Sequence, residues 1–154
     1  MQITIGDFGD PRVIELLRIH LTNARAETAP GSAHALDLAG LQSADISFWT
    51  IWDGDGLLGF GALKRLSPDH GEVKSMHTVQ AMRRKGVGSA IIRHIIAAAR
   101  EQGLSRLSLE TGSWEYFRPA RTLYARHGFV ECGPFADYGL DPNSVFMSLD
   151  LRPS

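Results

Sequence analysis

Apolar positions along the chain recur with two periods, and the changes between them divide it into short elements. Gln2–Ile5 alternates and predicts a strand. Asp10-Pro11 then supplies an N-cap followed by proline at the first helical position. Val13, Ile14, Leu17 and Leu21 follow at helical spacing, so a helix is expected to about Asn23. Pro30, Gly31 and Ser32 mark a loop, with a short helix expected within Leu36–Leu41. Ile46–Trp52 and Leu57–Lys64 are strand-like runs on either side of Asp53-Gly54-Asp55-Gly56, a hairpin signal. Glu72–Val79 reads as a third run. From Gly86 the pattern turns helical, through Val87, Ile91, Ile95 and Ala98, and Gly103 closes it. Leu104–Glu110 predicts a strand, Tyr116–His127 a helix ended by Gly128, and Phe129–Pro134 and Ser144–Leu151 two last strands. The order β-α-α-β-β-β-α-β-α-β-β predicts an α+β, or mixed α/β, layout with helices covering a sheet.

Composition narrows the function. A chain of 154 residues is expected to form one domain. With 16 basic and 17 acidic side chains the net charge is −1, which argues against a broad nucleic-acid footprint. Cys132 is the single cysteine, which excludes an internal disulfide and a multi-thiolate metal site. Asp7, Asp10 and Arg12 interrupt any export signal, and Arg93 and His94 interrupt the apolar stretch from Ala90 to Ala99. The expectation is a cytoplasmic protein with no membrane partner.

The most informative stretch is Arg83-Arg84-Lys85-Gly86-Val87-Gly88-Ser89, between a predicted strand and a strongly periodic helix. A helix start carries unpaired N–H groups and about half a positive charge, and so attracts anions. Glycines at 86 and 88 remove side chains that would hold a phosphate away from those amides. Three successive cations oppose the helix dipole, an arrangement a plain surface turn rarely carries. A diphosphate is the natural guest. The patterns G-x-x-x-x-G-K-[ST] and G-x-G-x-x-G are both absent, which argues against a nucleoside triphosphatase and a dinucleotide site.

Arg83-x-x-Gly86-x-Gly88 resembles the [QR]-x-x-G-x-[GA] pattern of the GNAT acetyltransferase superfamily. Ala120-x-x-Leu123-Tyr124-x-x-x-Gly128-Phe129 is similar to a second segment common there. The resemblance implies a GNAT-like central twisted mixed sheet of six to seven strands flanked by about four helices. It implies acetyl-CoA as cofactor, with its diphosphate on the amides from Arg84 to Ser89. It further implies that backbone near Met76, His77 and Thr78 pairs with the pantetheine arm and polarises the thioester carbonyl. One departure is Phe117, where members often carry an Asn; apolar contact would replace that hydrogen bond.

Acetyl transfer to an amine needs an uncharged nucleophile, a polarised carbonyl and a proton for the departing thiolate. Tyr124 is the candidate acid: Phe117, Ala120 and Tyr124 would share a helical stripe, and a phenol near pKa 10 can protonate a thiolate. An ordinary core tyrosine would occupy the same stripe. Glu72 is the candidate base. Strand alternation would put Glu72, Lys74, Met76 and Thr78 on one face, and Val73, Ser75, His77 and Val79 on the other. Glu72 and Met76 would lie roughly 13 Å apart, favouring a water relay, while a plain ion pair with Lys74 is the alternative. His77 is expected to be a satisfied, partly buried ring, and Cys132 an inert thiol. His34 and Asp37, after the first helix, are candidates to meet the acceptor.

These features point to an acetyl-CoA-dependent N-acetyltransferase acting on a primary amine of a small molecule or protein. The alternative is an acyl-CoA-binding sensor or scaffold without turnover, since both share the phosphate loop. An enzyme using another acyl group also fits, because the loop reads phosphates and is blind to acyl length. The open edges of the final hairpin invite pairing of two copies as a homodimer.

Overall fold

A computed structural model describes residues 1–27, 38–79 and 86–152 of the chain. Its elements follow the expected order: β1 Gln2–Ile5, α1 Pro11–Ala26, α2 Leu38–Leu41, β2 Ile46–Asp53, β3 Gly56–Arg65, β4 His70–Thr78, α3 Val87–Glu101, β5 Arg106–Gly112, α4 Arg118–Arg126, β6 Val130–Cys132 and β7 Ser144–Asp150. The seven strands form one sheet in the order β1-β2-β3-β4-β5-β7-β6. Every neighbouring pair is antiparallel except β4 and β5. No described helix is long and apolar enough to cross a membrane.

Local chemistry sets the ends of these elements. The Asp10 carboxylate accepts from the Arg12 amide at 2.9 Å and Pro11 follows, which starts α1. Gly54, with φ +57°, makes the β2–β3 turn. The expected helix from Tyr116 begins later: Glu115–Phe117 is a single 3-10 turn, and α4 proper starts at Arg118 with Pro119 in its first turn. Proline lacks an N–H and so fits only that first turn. Phe117 is therefore not on the helical stripe with Ala120 and Tyr124.

The sheet divides the interior. On one face α3 buries Val87, Ile91, Ile92, Ile95, Ile96 and Ala99 against Leu63, Val73, Leu107, Leu109 and Met147, with Tyr124 and Phe129 completing the cluster. Each buried isoleucine contributes about 2 kcal/mol. Gly61 permits that approach: a Cβ there would lie 2.5 Å from Ile91 Cγ2 and 2.9 Å from Ile95 Cδ1. On the other face α1 sets Val13, Leu16 and Leu17 among Phe48, Phe60 and Ala62. Thus α1 covers the first half of the sheet on one side and α3 covers its centre on the other.

Candidate functional site

Pairing between β4 and β5 runs only from His70↔Arg106 to Val73↔Leu109. Both strands continue, β4 to Thr78 and β5 to Gly112, held by β3 and β7 at their outer edges. Beyond Val73 and Leu109 their facing edges no longer bond each other, and a wedge opens at the centre of the sheet.

A bulge in β4 shapes that wedge. Phe60 pairs with His77 and Ala62 with Lys74, so two steps on β3 answer three on β4. The extra residue is accommodated at Ser75, whose φ is +53°. The bulge overturns the strict alternation expected for this strand. Glu72, Lys74 and His77 share the α1 face, whereas Met76 and Thr78 turn to the α3 face. Met76 Sδ lies 3.0 Å from a Cβ built at Gly61, and Thr78 Oγ1 3.7 Å from one built at Gly88. His77 packs instead on Phe60, with ring centroids 5.6 Å apart, and its Nδ1 is 3.1 Å from Nδ1 of His20 on α1. Burial, reinforced by the neighbouring His77, holds His20 down to about 3. His77 is thus the buried, partnered ring expected.

The start of α3 closes one end of the wedge. Gly86 caps the helix with φ +84° and no side-chain hydrogen bond, and its carbonyl accepts from Ala90 N at 3.0 Å. The first-turn amides of Val87, Gly88 and Ser89 have no intrahelical acceptor. Gly88 is the contact point of three elements, since a Cβ there would lie 2.9 Å from Leu123 Cδ2 of α4 and also meet Thr78. A larger residue would fill the space beside these amides, so the two glycines fit a phosphate-bearing ligand. Val87 is buried and offers its amide alone; the Ser89 hydroxyl is 3.1 Å from His127 Nε2. Arg83, Arg84 and Lys85 lie outside the described residues, as do His34 and Asp37.

Tyr124 reaches the wedge from α4. It is 7% exposed within the α3-side core, edge-on to Phe129 at 5.9 Å. Among the described residues its hydroxyl makes no hydrogen bond, yet the sealed, unpaired side-chain oxygens are those of Ser75 and Ser144 only. Burial, and then the charge of Glu110, push the phenol well above its ordinary range, so it stays protonated and able to donate. Phe117 lays its ring against Gly112 at the end of β5, where a Cβ would collide with it. Arg121 Nη1 donates to the carbonyls of Gly112 at 2.7 Å and Trp114 at 3.1 Å, fixing the turn.

The opposite face of the wedge is polar. Tyr138, in the loop between β6 and β7, donates its hydroxyl proton to Glu72 Oε2 at 2.6 Å and accepts from Lys74 Nζ at 2.8 Å. Lys74 Nζ and Glu72 Oε2 are 3.3 Å apart, which closes a triangle. Phe135 and Phe146 hold the Tyr138 ring at 5.1 and 5.6 Å. Glu110 stands just beyond the last β4–β5 rung. Burial drives its carboxyl up to about 7, against the smaller opposing pull of Ser144 and Lys74. The Ser144 hydroxyl is sealed from solvent, and as a neighbour of the carboxylate it opposes that rise more than Lys74 does.

Sequence reasoning missed Glu110 and Tyr138. Glu110 had a signal, since Leu107 and Leu109 alternate with Ser108 and Glu110, but its neighbour across a parallel pairing was not readable. Tyr138 lies in an aperiodic loop, where neither period nor spacing marks it. Cys132 is half-buried with Sγ 3.1 Å from Ser148 Oγ. A surface cleft of about 540 Å³ at the far ends of these strands is lined by His70, Arg106 and Arg152 among others, and shares no residue with the wedge.

Comparison with known proteins agrees with this fold. The model of the acetyltransferase (GNAT) family matches residues 13–129. N-acetyltransferase YsnE of Bacillus subtilis (strain 168), itself uncharacterized, is 50% identical over 151 residues, covering 98% of this chain and 100% of the relative. A crystal structure described as an acyl-CoA N-acyltransferase from Klebsiella pneumoniae subsp. pneumoniae superimposes with TM-score 0.81 at 30% identity, covering 98% of this chain and 97% of that one. An aminoglycoside 6'-N-acetyltransferase complexed with coenzyme A shares the fold, with TM-score 0.76 at 15% identity over 100% of this chain and 99% of that one.

Proposed function

Because the chain belongs to the acetyltransferase (GNAT) family, we propose that it transfers an acetyl group from acetyl-CoA to a primary amine through the wedge between β4 and β5. The observation that carries this reading is the junction at Gly88, where the amides of α3, Thr78 at the end of β4 and Leu123 of α4 converge. The first-turn amides from Gly86 to Ser89 would hold the diphosphate, with Arg83, Arg84 and Lys85 adding charge. The backbone of Met76, His77 and Thr78, on the β4 edge that β5 leaves open, would hold the pantetheine arm, with Phe117 as an apolar wall. When bound, the cofactor supplies a thioester whose carbonyl carbon is open to a nucleophile.

The chain's own groups divide the work by face. Tyr124, buried and protonated, stands on the α3 side, where it would give a proton to the departing sulfur. Glu72 and Glu110 stand on the α1 side, the side from which the acceptor amine would enter. His34 and Asp37, which follow α1 in sequence, are proposed to contact the acceptor. The acceptor is a small-molecule or protein amine.

The test is thiol release from acetyl-CoA by the pure protein with a panel of primary amines. Wild type should release thiol with at least one amine. Tyr124→Phe should lower kcat by about 10²–10⁴-fold while leaving the dissociation constant of CoA nearly unchanged. No release with any amine, or full activity in Tyr124→Phe, would refute the assignment.

A further inference from the structure

We propose that Glu110, rather than Glu72, takes the proton from the acceptor amine, and that the Glu72–Lys74–Tyr138 triangle is a positioning device that sets its basicity. The inference rests on the N-acetyltransferase reading of the same wedge and identifies which carboxylate serves it.

Glu72 is committed to the chain. Its Oε2 accepts from Tyr138 at 2.6 Å and faces Lys74 at 3.3 Å, and the residue is 3% exposed. It therefore has almost no surface to present to an incoming amine. Glu110 is placed differently. It follows Leu109, the last β5 residue paired with β4, so it opens directly on the wedge. It projects on the same face as Ser108, the residue opposite Glu72. Among the described residues no cation lies within ion-pair distance of its carboxylate. Leu109 shares the α3-side cluster with Tyr124, so Glu110, the next residue along β5, stands on the opposite face, and its charge still reaches the phenol. One takes a proton on the acceptor side and the other gives one on the thiol side.

The chemistry balances. An N–H bond of the acceptor ammonium breaks, its electron pair stays on nitrogen, and an O–H bond forms on Glu110. The neutral amine bonds through that pair to the thioester carbon, and the electrons of the C–S bond leave with sulfur. Tyr124 gives sulfur a proton, the second proton lost by nitrogen restores Tyr124 through water, and Glu110 returns its proton to solvent.

Groups from every neighbouring element act on Glu110. Burial raises it to about 7; Lys74 of β4 and Ser144 of β7 oppose that, while Glu72 of β4 and Asp141 of the β6–β7 loop add to it. Tyr124 of α4 and Tyr138 of the same loop stay neutral beside it, both pushed up by burial. A base poised near the working pH is what general-base transfer requires. Because Glu72 raises Glu110 and Lys74 lowers it, neutralising Glu72 removes the raising charge and should lower the Glu110 midpoint.

The experiment has two arms on the full chain. In the first, the glutamate side-chain carbonyl is labelled with ¹³C and titrated by NMR, the Glu110 signal being identified by its loss in Glu110→Gln. The expected midpoint is about 7 in wild type, falling in Glu72→Gln. In the second, kcat/KM for thiol release from acetyl-CoA, with the best amine of the panel, is followed from pH 5 to 9. Glu110→Gln should lose about 10²–10⁴-fold and its acid limb. Glu72→Gln should retain an acid limb displaced to lower pH. A Glu110 midpoint near 4.5, or an unchanged rate and acid limb in Glu110→Gln, overturns the inference while leaving the transferase reading intact. No thiol release from wild type overturns both.

Discussion

Replacing Glu110 by glutamine should stabilise the protein at the pH where the residue is proposed to work. Its carboxyl is raised from an ordinary 4.5 to about 7, chiefly by burial. In the unfolded chain the group ionises near 4.5, whereas the folded chain keeps its proton until about 7. The native state thus binds more protons between those values, and its stability falls as pH rises through the window. A tenfold change in proton affinity is worth about 1.4 kcal/mol, so the full difference approaches about 3 kcal/mol, less whatever solvent screens. Glutamine keeps the shape and carries no charge. Urea unfolding of wild type and Glu110→Gln at intervals from pH 4.5 to 8.5 isolates this contribution, because the other titrating groups are common to both. The variant's advantage should be small at pH 4.5, grow through the window, and level off at about 2–3 kcal/mol above pH 7.5. Parallel curves, with no growth in the difference, would refute the buried-carboxylate reasoning.

Other substitutions probe the rest of the site. Gly88→Val places methyls against Leu123 and beside the α3 amides; calorimetry should show CoA affinity falling at least about tenfold, the equivalent of 1.4 kcal/mol. Ser75→Gly removes a side chain from a left-handed backbone position and an enclosed hydroxyl without a partner, so urea unfolding should show a gain of about 1 kcal/mol with the sheet register intact. His20 is held far below 6.5 by burial, then by His77. Its unfolded form gains a proton as pH falls through 6.5 while the folded form does not, so its contribution is lost toward acid. His20→Gln should flatten the decline in melting temperature between pH 6.5 and 4.

Much of this architecture is legible in the sequence because it rests on period and punctuation. The α3 stripe of Val87, Ile91 and Ile95, the Asp10-Pro11 start and the Asp53–Gly56 turn each fall where the pattern places them. The glycine pair at 86 and 88, from which the cofactor end of the site is proposed, is legible for the same reason. What escapes is set by the third dimension. The bulge at Ser75 has no Gly or Pro to announce it, and one extra residue reverses every side chain after it, moving His77 onto the face of Glu72. The delayed start of α4 is readable only through Pro119, and it takes Phe117 off the helix. Tyr138 closes on Glu72 across a separation of 66 residues from an aperiodic loop, a contact no local rule supplies.

The central claim is that the open edge of β4 and the start of α3 form one binding surface for the cofactor. Amide hydrogen exchange read by mass spectrometry, with and without saturating CoA, tests it directly. CoA should slow exchange together in the segments 74–79 and 86–90, and leave the far ends of β4 and β5, around His70 and Arg106, unchanged. Slowing confined to the far ends, or in only one of the two segments, would contradict the account.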